Sequence, residues 1–597
     1  MQYPKLAELE SSRHMIDQFR GYNHNLRIGA GEFYDMKNMT SDHFPILAPR
    51  GKRGLYTTPA SPQGMIAKDT LCYVDGTDFV MGEYHIDMGL STAEEDCPKQ
   101  LISMGAYVVI LPDKKYINTA NTTDFGNIEA EFTTQTPVSF TLCKADGSDY
   151  MAEYTQPDEP ADPANMTLWV DTSTTPHSLK QWSETSGMWV SIATTYVKIS
   201  STGIGAAFEQ YDGIDISGLK GIALIDNVTG MEIENTKDLE NLEGAAVVWD
   251  RGDNYIVVIG MLDITRTIKN PVTISRKMPR MDFVIESENR LWGCRYGIAS
   301  NGEVVNELYA SKLGDFKNWN CFMGLSTDSY SAAVGTDGVF TGAITHLGYP
   351  LFFKENFIHK VYGNYPANFQ IQTTACRGVQ RGCERSLAIV NEMLYYKARH
   401  AVCAYDGSLP TEISYVMGDE RYSDAVAGSH GNKYYISMAD TAGAYHLFVY
   451  DTAKGMWHKE DNLRADAFCS CRDDLFCMEH GTNKIITMLG SGTQDTRAIE
   501  WMVQTGPLGT DEPDMKYISR LVLRMTLAIG ARVRFFIQYD SIGGWEPIGM
   551  MSGTSLRSFS IPIRPRRCDH FRLRIVGTGD ARIYSETKTI ERGSDIS

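Results

Sequence analysis

The sequence predicts an all-β protein: a β-propeller of about six blades, with an inserted small β-domain and a C-terminal β-sandwich. Short aromatic strands and turns recur from about residue 348, and the strands start near positions 351, 393, 434 and 475. This spacing, about 41 residues, matches the length of one four-stranded propeller blade. Helical periodicity is nearly absent along the chain, which also favours strands.

Changes in this pattern divide the chain into four segments. We predict an N-terminal segment and the first blades in 1–120, an inserted β-rich domain in 121–270, the remaining blades in 271–500 and an Arg-rich β-sandwich in 515–597. The insertion is rich in Thr, Asp and Pro, and the last segment alternates Arg with apolar residues. Such alternation is typical of a strand with one buried and one exposed face.

One hairpin of the repeated blades is predicted in FVYDTAKGMW, residues 448–457. Asp451 suits the turn because its side chain can accept hydrogen bonds from the backbone nearby. Trp457 is expected to pack between blades.

A second hairpin is predicted in LYASKLGDFKNW, residues 308–319. Residues 308–310 are expected to form a strand, with Gly314 and Asp315 as the turn. Phe316 and Trp319 are then packing aromatics that re-enter the sheet. An aspartate between glycine and aromatics could also be a catalytic acid, but the turn explains the same residues without a reaction.

Charge is unevenly distributed along the chain, whose formal net charge is −18. From residue 516 onward there are fourteen Lys and Arg against seven Asp and Glu, so the rest of the chain is strongly acidic. An acidic body argues against tight binding of phosphate backbones. The basic end offers an interface for an acidic neighbour, with four candidate residues. These are Arg532, Arg534, Arg572 and Arg574.

Motifs that carry catalysis or cofactor binding are not found in the sequence, which lacks a phosphate loop, a nucleophile elbow and an H-E-x-x-H metal motif. The twelve cysteines include no C-x-x-C pair, and the cluster at 469–477 with His480 fits no common zinc spacing. A lone histidine such as His359 is expected to be structural. We therefore predict no enzyme, no catalytic residue, no cofactor and no metal ligand.

Two groups of short motifs resemble one family. The first comprises FRGYN (19–23), GEFYDMKNM (31–39) and PILAPRGKRG (45–54), and the second comprises ENRLW (288–292) and NELYASKLGDFKNW (306–319). Together they resemble tailed-bacteriophage β-propeller structural proteins of the tail and neck, of the nozzle or packaged-DNA stabilisation type.

The resemblance implies a virion protein that forms a homo-oligomeric ring, expected to be a hexamer, around the DNA exit channel. Its implied partners are the portal or adaptor, other tail proteins, and phage DNA that passes without sequence-specific binding. The sequence has no apolar run long enough to cross a membrane and no apolar signal-peptide core at its N-terminus. We therefore expect assembly in the host cytoplasm and no membrane insertion.

Two alternatives remain open from the sequence. A tail-tip propeller adhesin that binds a host surface or a glycan would need exposed aromatics, for which Trp169 and Trp189 in the insertion are candidates. A polysaccharide-degrading propeller would need two convergent carboxylates about 5–9 Å apart.

Overall fold

Antiparallel β-sheets make up most of the protein in the computed structural model, which describes residues 11–221, 237–299, 301–510, 515–553 and 555–592. Within these ranges the helices are one four-residue α-helix, Lys237–Glu240, and five short 3₁₀ turns. The 3₁₀ turns are Glu94–Asp96, Ile204–Ala206, Pro366–Asn368, Glu384–Ser386 and Tyr415–Met417. The prediction of an all-β protein is confirmed. In the described part of the chain, no helix combines the length and the apolar composition needed to cross a membrane.

Seven antiparallel sheets of the described residues are here called sheets 1 to 7: sheets 1 to 6 each contain four strands in chain order, and sheet 7 contains five, one of them from outside that order. Sheet 1 is Pro62–Ala67, Leu71–Asp75, Asp78–Met81 and Tyr84–Asp87, and sheet 2 is Gln100–Met104, Tyr107–Leu111, Lys115–Asn118 and Phe125–Asn127. Sheet 3 is Phe283–Ser287, Arg290–Ile298, Val304–Ala310 and Tyr330–Ala333, and sheet 4 is Gly342–His346, Tyr349–Lys354, Phe357–Tyr362 and Gln370–Ala375.

Sheets 5 to 7 continue the same pattern along the chain. Sheet 5 is Ala388–Val390, Met393–Lys397, Val402–Tyr405 and Thr411–Glu412, and sheet 6 is Ser423–His430, Lys433–Ala439, Tyr445–Asp451 and Met456–Lys459. Sheet 7 is Ala465–Cys471, Asp474–Glu479, Lys484–Thr487 and the distant strand Gly54–Thr57, beyond which Thr493–Gln494 pairs at the edge. Sheet 7 therefore combines strands that come before and after the other six sheets in the sequence.

The first strands of these sheets contact one another in a closed series. Each first strand lies against the first strand of the next sheet, except that sheet 4 meets sheet 5 through the 3₁₀ turn Glu384–Ser386. The first strand of sheet 7 then contacts the first strand of sheet 1. Apolar side chains fill the spaces between neighbouring sheets, so each sheet is buried on two faces. This explains the near-continuous apolar runs of the inner strands.

An ion-pair cluster lies next to Gly54–Thr57, the strand from the other end of the repeat that completes sheet 7 and is called its closing strand below. The Arg53 guanidinium contacts Glu460 Oε2 at 2.7 Å and Asp461 Oδ2 at 2.8 Å, and Arg50 contacts the same two carboxylates at 3.2 and 3.3 Å. Burial alone lowers the pKa of Arg53, but the charges of Asp461 and Glu460 more than offset this and raise it. Losing one member would leave a buried charge unpaired, so the cluster ties the N-terminal segment to the strands around it.

The insertion between sheets 2 and 3 contains an eight-stranded sheet and a small four-stranded sheet. In spatial order the larger sheet is Ala130–Thr133, Thr273–Arg276, Gly213–Ser217, Gly244–Gly252, Tyr255–Ile259, Tyr196–Ser200, Val138–Cys143 and Arg266–Ile268. The small sheet is Tyr154–Gln156, Leu168–Asp171, Ser178–Ser183 and Met188–Ser191, and its first two strands run parallel. The larger sheet has its own apolar core, so the insertion has the physical basis of a separate domain.

Two further sheets face each other at the C-terminal end. One is ordered Ser11–Ile16, Ala581–Arg592, Lys516–Leu527 and Arg557–Ile561, and the other Asp35–Lys37, Glu500–Gln504, Phe571–Thr578, Arg532–Tyr539 and Glu546–Met551. Three of these strands lie outside the segment 515–597 in which the sandwich was predicted. Ser11–Ile16 and Asp35–Lys37 are edge strands, whereas Glu500–Gln504 is internal. All three were missed because they lie far from the sandwich segment in the chain and find their partners only in the tertiary structure.

The N-terminal segment between these strands forms two small pairs of its own. Gly21–Tyr22 runs parallel to Glu32–Phe33, and Met39–Thr40 pairs antiparallel with Ala48–Pro49. Phe19, Tyr22 and Phe33 belong to the same apolar core as Trp457 of sheet 6 and Trp501 of the sandwich. This segment therefore fills the space between the sandwich and sheets 4 to 6.

Closure of sheet 7 can be tested at Gly54, where an added Cβ would lie 2.6 Å from both Thr487 Oγ1 and the Gly492 nitrogen. We expect Gly54→Ala to lower the free energy of unfolding by about 1–3 kcal/mol, because the closing strand must shift to relieve this overlap. Gly51→Ala is the matched control, since its Cβ would meet nothing within 4 Å. Calorimetric melting of both variants checks this. Equal melting temperatures would show that the strand does not constrain the ring of contacts.

Candidate functional site

The segment 311–319 lies in a long loop between the last two strands of sheet 3. Gly314 has a positive φ of 74°, and Asp315 Oδ1 accepts a hydrogen bond of 2.9 Å from the Lys317 nitrogen. Gly314 and Asp315 thus form a turn whose aspartate side chain binds the local backbone.

Phe316 and Trp319 do not re-enter the sheet, which corrects the sequence-based prediction. The next strand begins only at Tyr330, so both aromatics stay in the loop and fill the space between sheets 2 and 3. The Phe316 ring lies 5.1 Å from the Tyr107 ring, and Trp319 Nε1 donates a 2.9 Å hydrogen bond to the Phe316 carbonyl. The prediction failed because a two-residue hairpin was assumed where the chain makes a longer excursion to reach a neighbouring sheet.

The same loop also holds the insertion. Asn318, 1% exposed, donates from Nδ2 to Asp212 Oδ1 at 2.9 Å and accepts from the Gly213 nitrogen at 2.8 Å. Asn318 Nδ2 also donates to Asp315 Oδ2 at 2.5 Å, and Arg276 forms a buried ion pair with Asp212. One amide side chain therefore connects the sheet 3 loop to the start of the insertion strand Gly213–Ser217, and Asp212 extends the contact to Arg276 on a second strand. Buried polar groups that satisfy one another in this way fix a single arrangement.

Asp451 and Trp457 lie in the hairpin between the last two strands of sheet 6. Asp451 Oδ2 accepts a 2.6 Å hydrogen bond from Ser41 Oγ and contacts Lys454 Nζ at 3.0 Å. Trp457 Nε1 donates to the Ile413 carbonyl at 2.8 Å, and its ring lies 4.9 Å from the Tyr450 ring. The aspartate thus connects sheet 6 to the N-terminal segment, and the tryptophan packs towards sheet 5.

The four interface candidates lie on one face of one sandwich sheet. Arg532 and Arg534 are exposed, and they alternate with buried residues of the same strand such as Val533. Arg572 and Arg574 lie half-buried on the adjacent antiparallel strand, in the same alternation. The sheet therefore presents an arginine-rich outer face above an apolar core.

The two half-buried arginines are held by neighbours within the chain. Arg574 stacks 4.1 Å from the Trp545 ring and donates to Gln504 Oε1 at 2.6 Å, whereas Arg572 lies 4.7 Å from the Tyr34 ring. Burial lowers the pKa of Arg574. Arg532 and Arg534 are consequently the more accessible pair for a partner.

The surroundings of His359 and of most cysteines are those of residues that stabilise the fold. His359 is fully buried, with its ring nitrogens 3.0 Å from Thr336 Oγ1 and 2.9 Å from Thr373 Oγ1. Burial, reinforced by the charge of Lys354, lowers its pKa to about 4. All twelve cysteines lie in described residues as thiols outside any disulfide, and nine are buried. Burial also raises the pKa of the Cys469 thiol to about 12, which makes it a poor nucleophile.

A cluster that sequence reasoning missed lies in the insertion, where His177, Asp238 and Asp263 bring one ligand-type atom each within 4.8 Å of the others. No motif spacing signals it, because the residues come from three distant segments. Within the described ranges it is the one such group of three or more metal-ligating side chains.

Comparisons with known proteins give no family for this chain: no protein-family model and no curated protein matches it. Among solved structures, an exo-β-1,3-galactanase from Phanerochaete chrysosporium with galactose is similar at 8% identity and a TM-score of 0.23, over 51% of this chain and 94% of that chain. An acylaminoacyl peptidase from Pyrococcus horikoshii has 8% identity and a TM-score of 0.23, over 55% of each chain. An engineered GH43 glycoside hydrolase has 8% identity and a TM-score of 0.19, over 52% of this chain and 96% of that chain. These scores are too low to support an argument about function.

Asn318 offers a test of how the insertion is held. Asn318→Ala removes the partners of Asp212 Oδ1 and of the Gly213 nitrogen, and leaving buried groups unpaired costs about 2–3 kcal/mol. We expect faster amide hydrogen exchange in residues 205–220 and 311–320, with Asp315→Ala giving a smaller change in the same segments. Exposed Asn301→Ala is the control. Unchanged exchange in Asn318→Ala would show that the amide does not hold the insertion.

His359 predicts a specific pH dependence of stability. Its folded pKa of about 4 lies below the unfolded value of about 6.5, so the unfolded chain gains a proton that the folded chain does not. Stability should therefore fall as the pH drops from about 6.5 to about 4, by up to about 3 kcal/mol from this residue. Chemical unfolding across this range should show a shallower slope for His359→Gln and an unchanged slope for exposed His85→Gln. An identical slope in all three proteins would contradict this assignment.

Proposed function

We propose that sheets 1 to 7 are the blades of a seven-bladed β-propeller. The closed series of contacts between first strands supports this, as does the completion of sheet 7 by Gly54–Thr57 from the other side of the repeat. Radial repetition of this kind leaves only short inner edges, each covered by its neighbours. Seven sheets favour seven blades over the six or so expected from the sequence, in which the strands of the last blade are separated.

We further propose that the protein is a structural component of a bacteriophage virion, in the tail or neck, where copies form a ring around the DNA exit channel. The observation that carries this proposal is where the motifs that resemble those of the tail proteins lie, and which parts of the molecule they connect. In 306–319 they join the insertion to sheet 3, and in 45–54 they supply the arginines that pair beside the closing strand. The shared motifs therefore build an architecture rather than line a small-molecule site.

Charge supports the same role. The net charge of −18 suits a surface past which DNA moves without adhering, because like charges repel at close range. The exposed Arg532 and Arg534 suit an acidic neighbour, such as another copy in a ring, expected to be a hexamer, or the portal, adaptor or another tail protein. The proposal needs no cofactor and no catalytic step.

The adhesin alternative depends on exposed tryptophans, and the structure gives it less support. Trp169 is 4% exposed and packs 5.3 Å from the Trp189 ring, which in turn lies 5.5 Å from Trp182. Lys180 Nζ lies 4.7 Å from the Trp169 ring. Trp169 is thus buried, and the half-buried Trp182 and Trp189 pack edge to face on each other, which is unlike an open aromatic platform for a sugar.

Composition of purified phage particles tests the virion proposal. We expect the protein in a fixed copy number per particle, set by the symmetry of the ring, and ring-shaped density around the tail axis in cryo-electron microscopy. A matched control is the non-structural fraction of the same lysate, which should be depleted of the protein. Absence of the protein from purified particles would contradict the proposal. Specific binding on a glycan array, lost in Trp189→Ala, would favour the adhesin instead.

A further inference from the structure

Three segments of the insertion converge at His177, Asp238 and Asp263. His177 directly precedes the strand Ser178–Ser183 of the small sheet, and Asp238 lies on the short helix Lys237–Glu240. Asp263 lies in the loop between Tyr255–Ile259 and Arg266–Ile268 of the eight-stranded sheet. The histidine and the helical aspartate are both more than nine-tenths buried, so their polar atoms depend on partners inside the protein.

The imidazole of His177 is oriented by a backbone hydrogen bond. Its Nδ1 lies 2.9 Å from the Thr174 carbonyl oxygen, which can only accept, so Nδ1 carries the proton. In the neutral ring Nε2 then presents a lone pair, and it faces Asp238 Oδ2 at 3.1 Å. Neither of these two buried atoms makes a hydrogen bond to any residue that the structure describes. Two acceptors placed this close need a proton or a cation next to them.

The contact fits two ligands of one metal ion. Ligands bound about 2.0–2.1 Å from Zn²⁺ in a tetrahedron lie about 3.3 Å from each other, close to the observed 3.1 Å. A histidine that binds zinc usually donates its other ring nitrogen to a carbonyl or a carboxylate, as His177 does to Thr174. The spacing and the second hydrogen bond therefore both match a metal ligand.

Asp263 supplies a third oxygen and further negative charge. Its carboxylate accepts hydrogen bonds from the Ile264 nitrogen at 2.8 Å and from Arg266 Nη2 at 2.7 and 2.9 Å. Two carboxylates and one guanidinium leave one net negative charge around a neutral imidazole, so the cluster attracts a cation. Separations of up to 4.8 Å exceed the tetrahedral spacing of about 3.3 Å, so the Asp263 side chain must shift by up to about 1.5 Å to complete the site. Its side chain is 16% exposed, so it has room to do so.

We propose that His177, Asp238 and Asp263 bind one Zn²⁺ ion. Mixed imidazole and carboxylate donors suit zinc, and a water completes the four ligands on the partly exposed side of Asp263. The ion cross-links the small sheet, the short helix and the eight-stranded sheet. Its role is to stabilise the insertion, and it is independent of the virion role proposed above.

Zinc binding by the full-length chain tests this proposal. Protein stripped with EDTA and desalted is titrated with ZnSO₄ by calorimetry, and the bound metal is counted by mass spectrometry. We expect one Zn²⁺ per chain, a higher melting temperature with zinc, and affinity at least about tenfold lower in His177→Ala and Asp238→Asn. His446→Ala is the matched control, because His446 Nε2 makes a 2.8 Å hydrogen bond to Asp440 Oδ2 as a simple pair in sheet 6.

Two further measurements keep the test decisive. Asp263→Asn, at the rim of the cluster, should weaken zinc binding even if the variants of the two buried residues fail to fold. Co²⁺ in place of zinc should show visible bands of nitrogen and oxygen ligation without the near-ultraviolet charge transfer that cysteine thiolates give. The proposal is overturned if the wild type binds no zinc, if binding survives all three substitutions, or if the cobalt spectrum shows thiolate ligation.

Discussion

The pairing of Gly54–Thr57 with Lys484–Thr487 is the constraint on which the rest of the structure depends. It brings the start of the repeat to its end, where the seven sheets contact one another in a closed series, six times through their first strands and once through the turn Glu384–Ser386. The buried cluster of Arg50 and Arg53 with Glu460 and Asp461 holds the segment just before this strand. A buried cluster of this kind contributes specificity more than stability, because desolvation offsets much of the attraction between the charges.

The two additional domains are attached to the sheets in different ways. The insertion is held through a polar contact, in which Asn318 bonds to Asp212 and Gly213 while aromatics of the same loop pack against sheet 2. The sandwich is joined by an apolar core that continues through the N-terminal segment into sheets 4 to 6. The polar contact fixes the orientation of the insertion, and burial of the apolar core stabilises the attachment of the sandwich.

These features give the functional proposals a common physical basis. The residues on which the proposed virion role rests connect parts of the molecule, and the exposed pair Arg532 and Arg534 lies on an outer face that the proposal assigns to a neighbour. The proposed zinc ion would add a third kind of connection, a cross-link within the insertion itself.

The sequence by itself determined the all-β class, the recurrence of short strands and the alternation that places Arg532 and Arg534 opposite a buried face, because these depend on local periodicity. It also located the turn at Gly314 and Asp315. Only the tertiary structure decided which distant strand completes sheet 7, which strands fill the sandwich edges, and where Phe316 and Trp319 pack. It alone brought His177, Asp238 and Asp263 together. Such contacts join residues far apart in the chain, and no periodicity or spacing records which distant partner a residue meets.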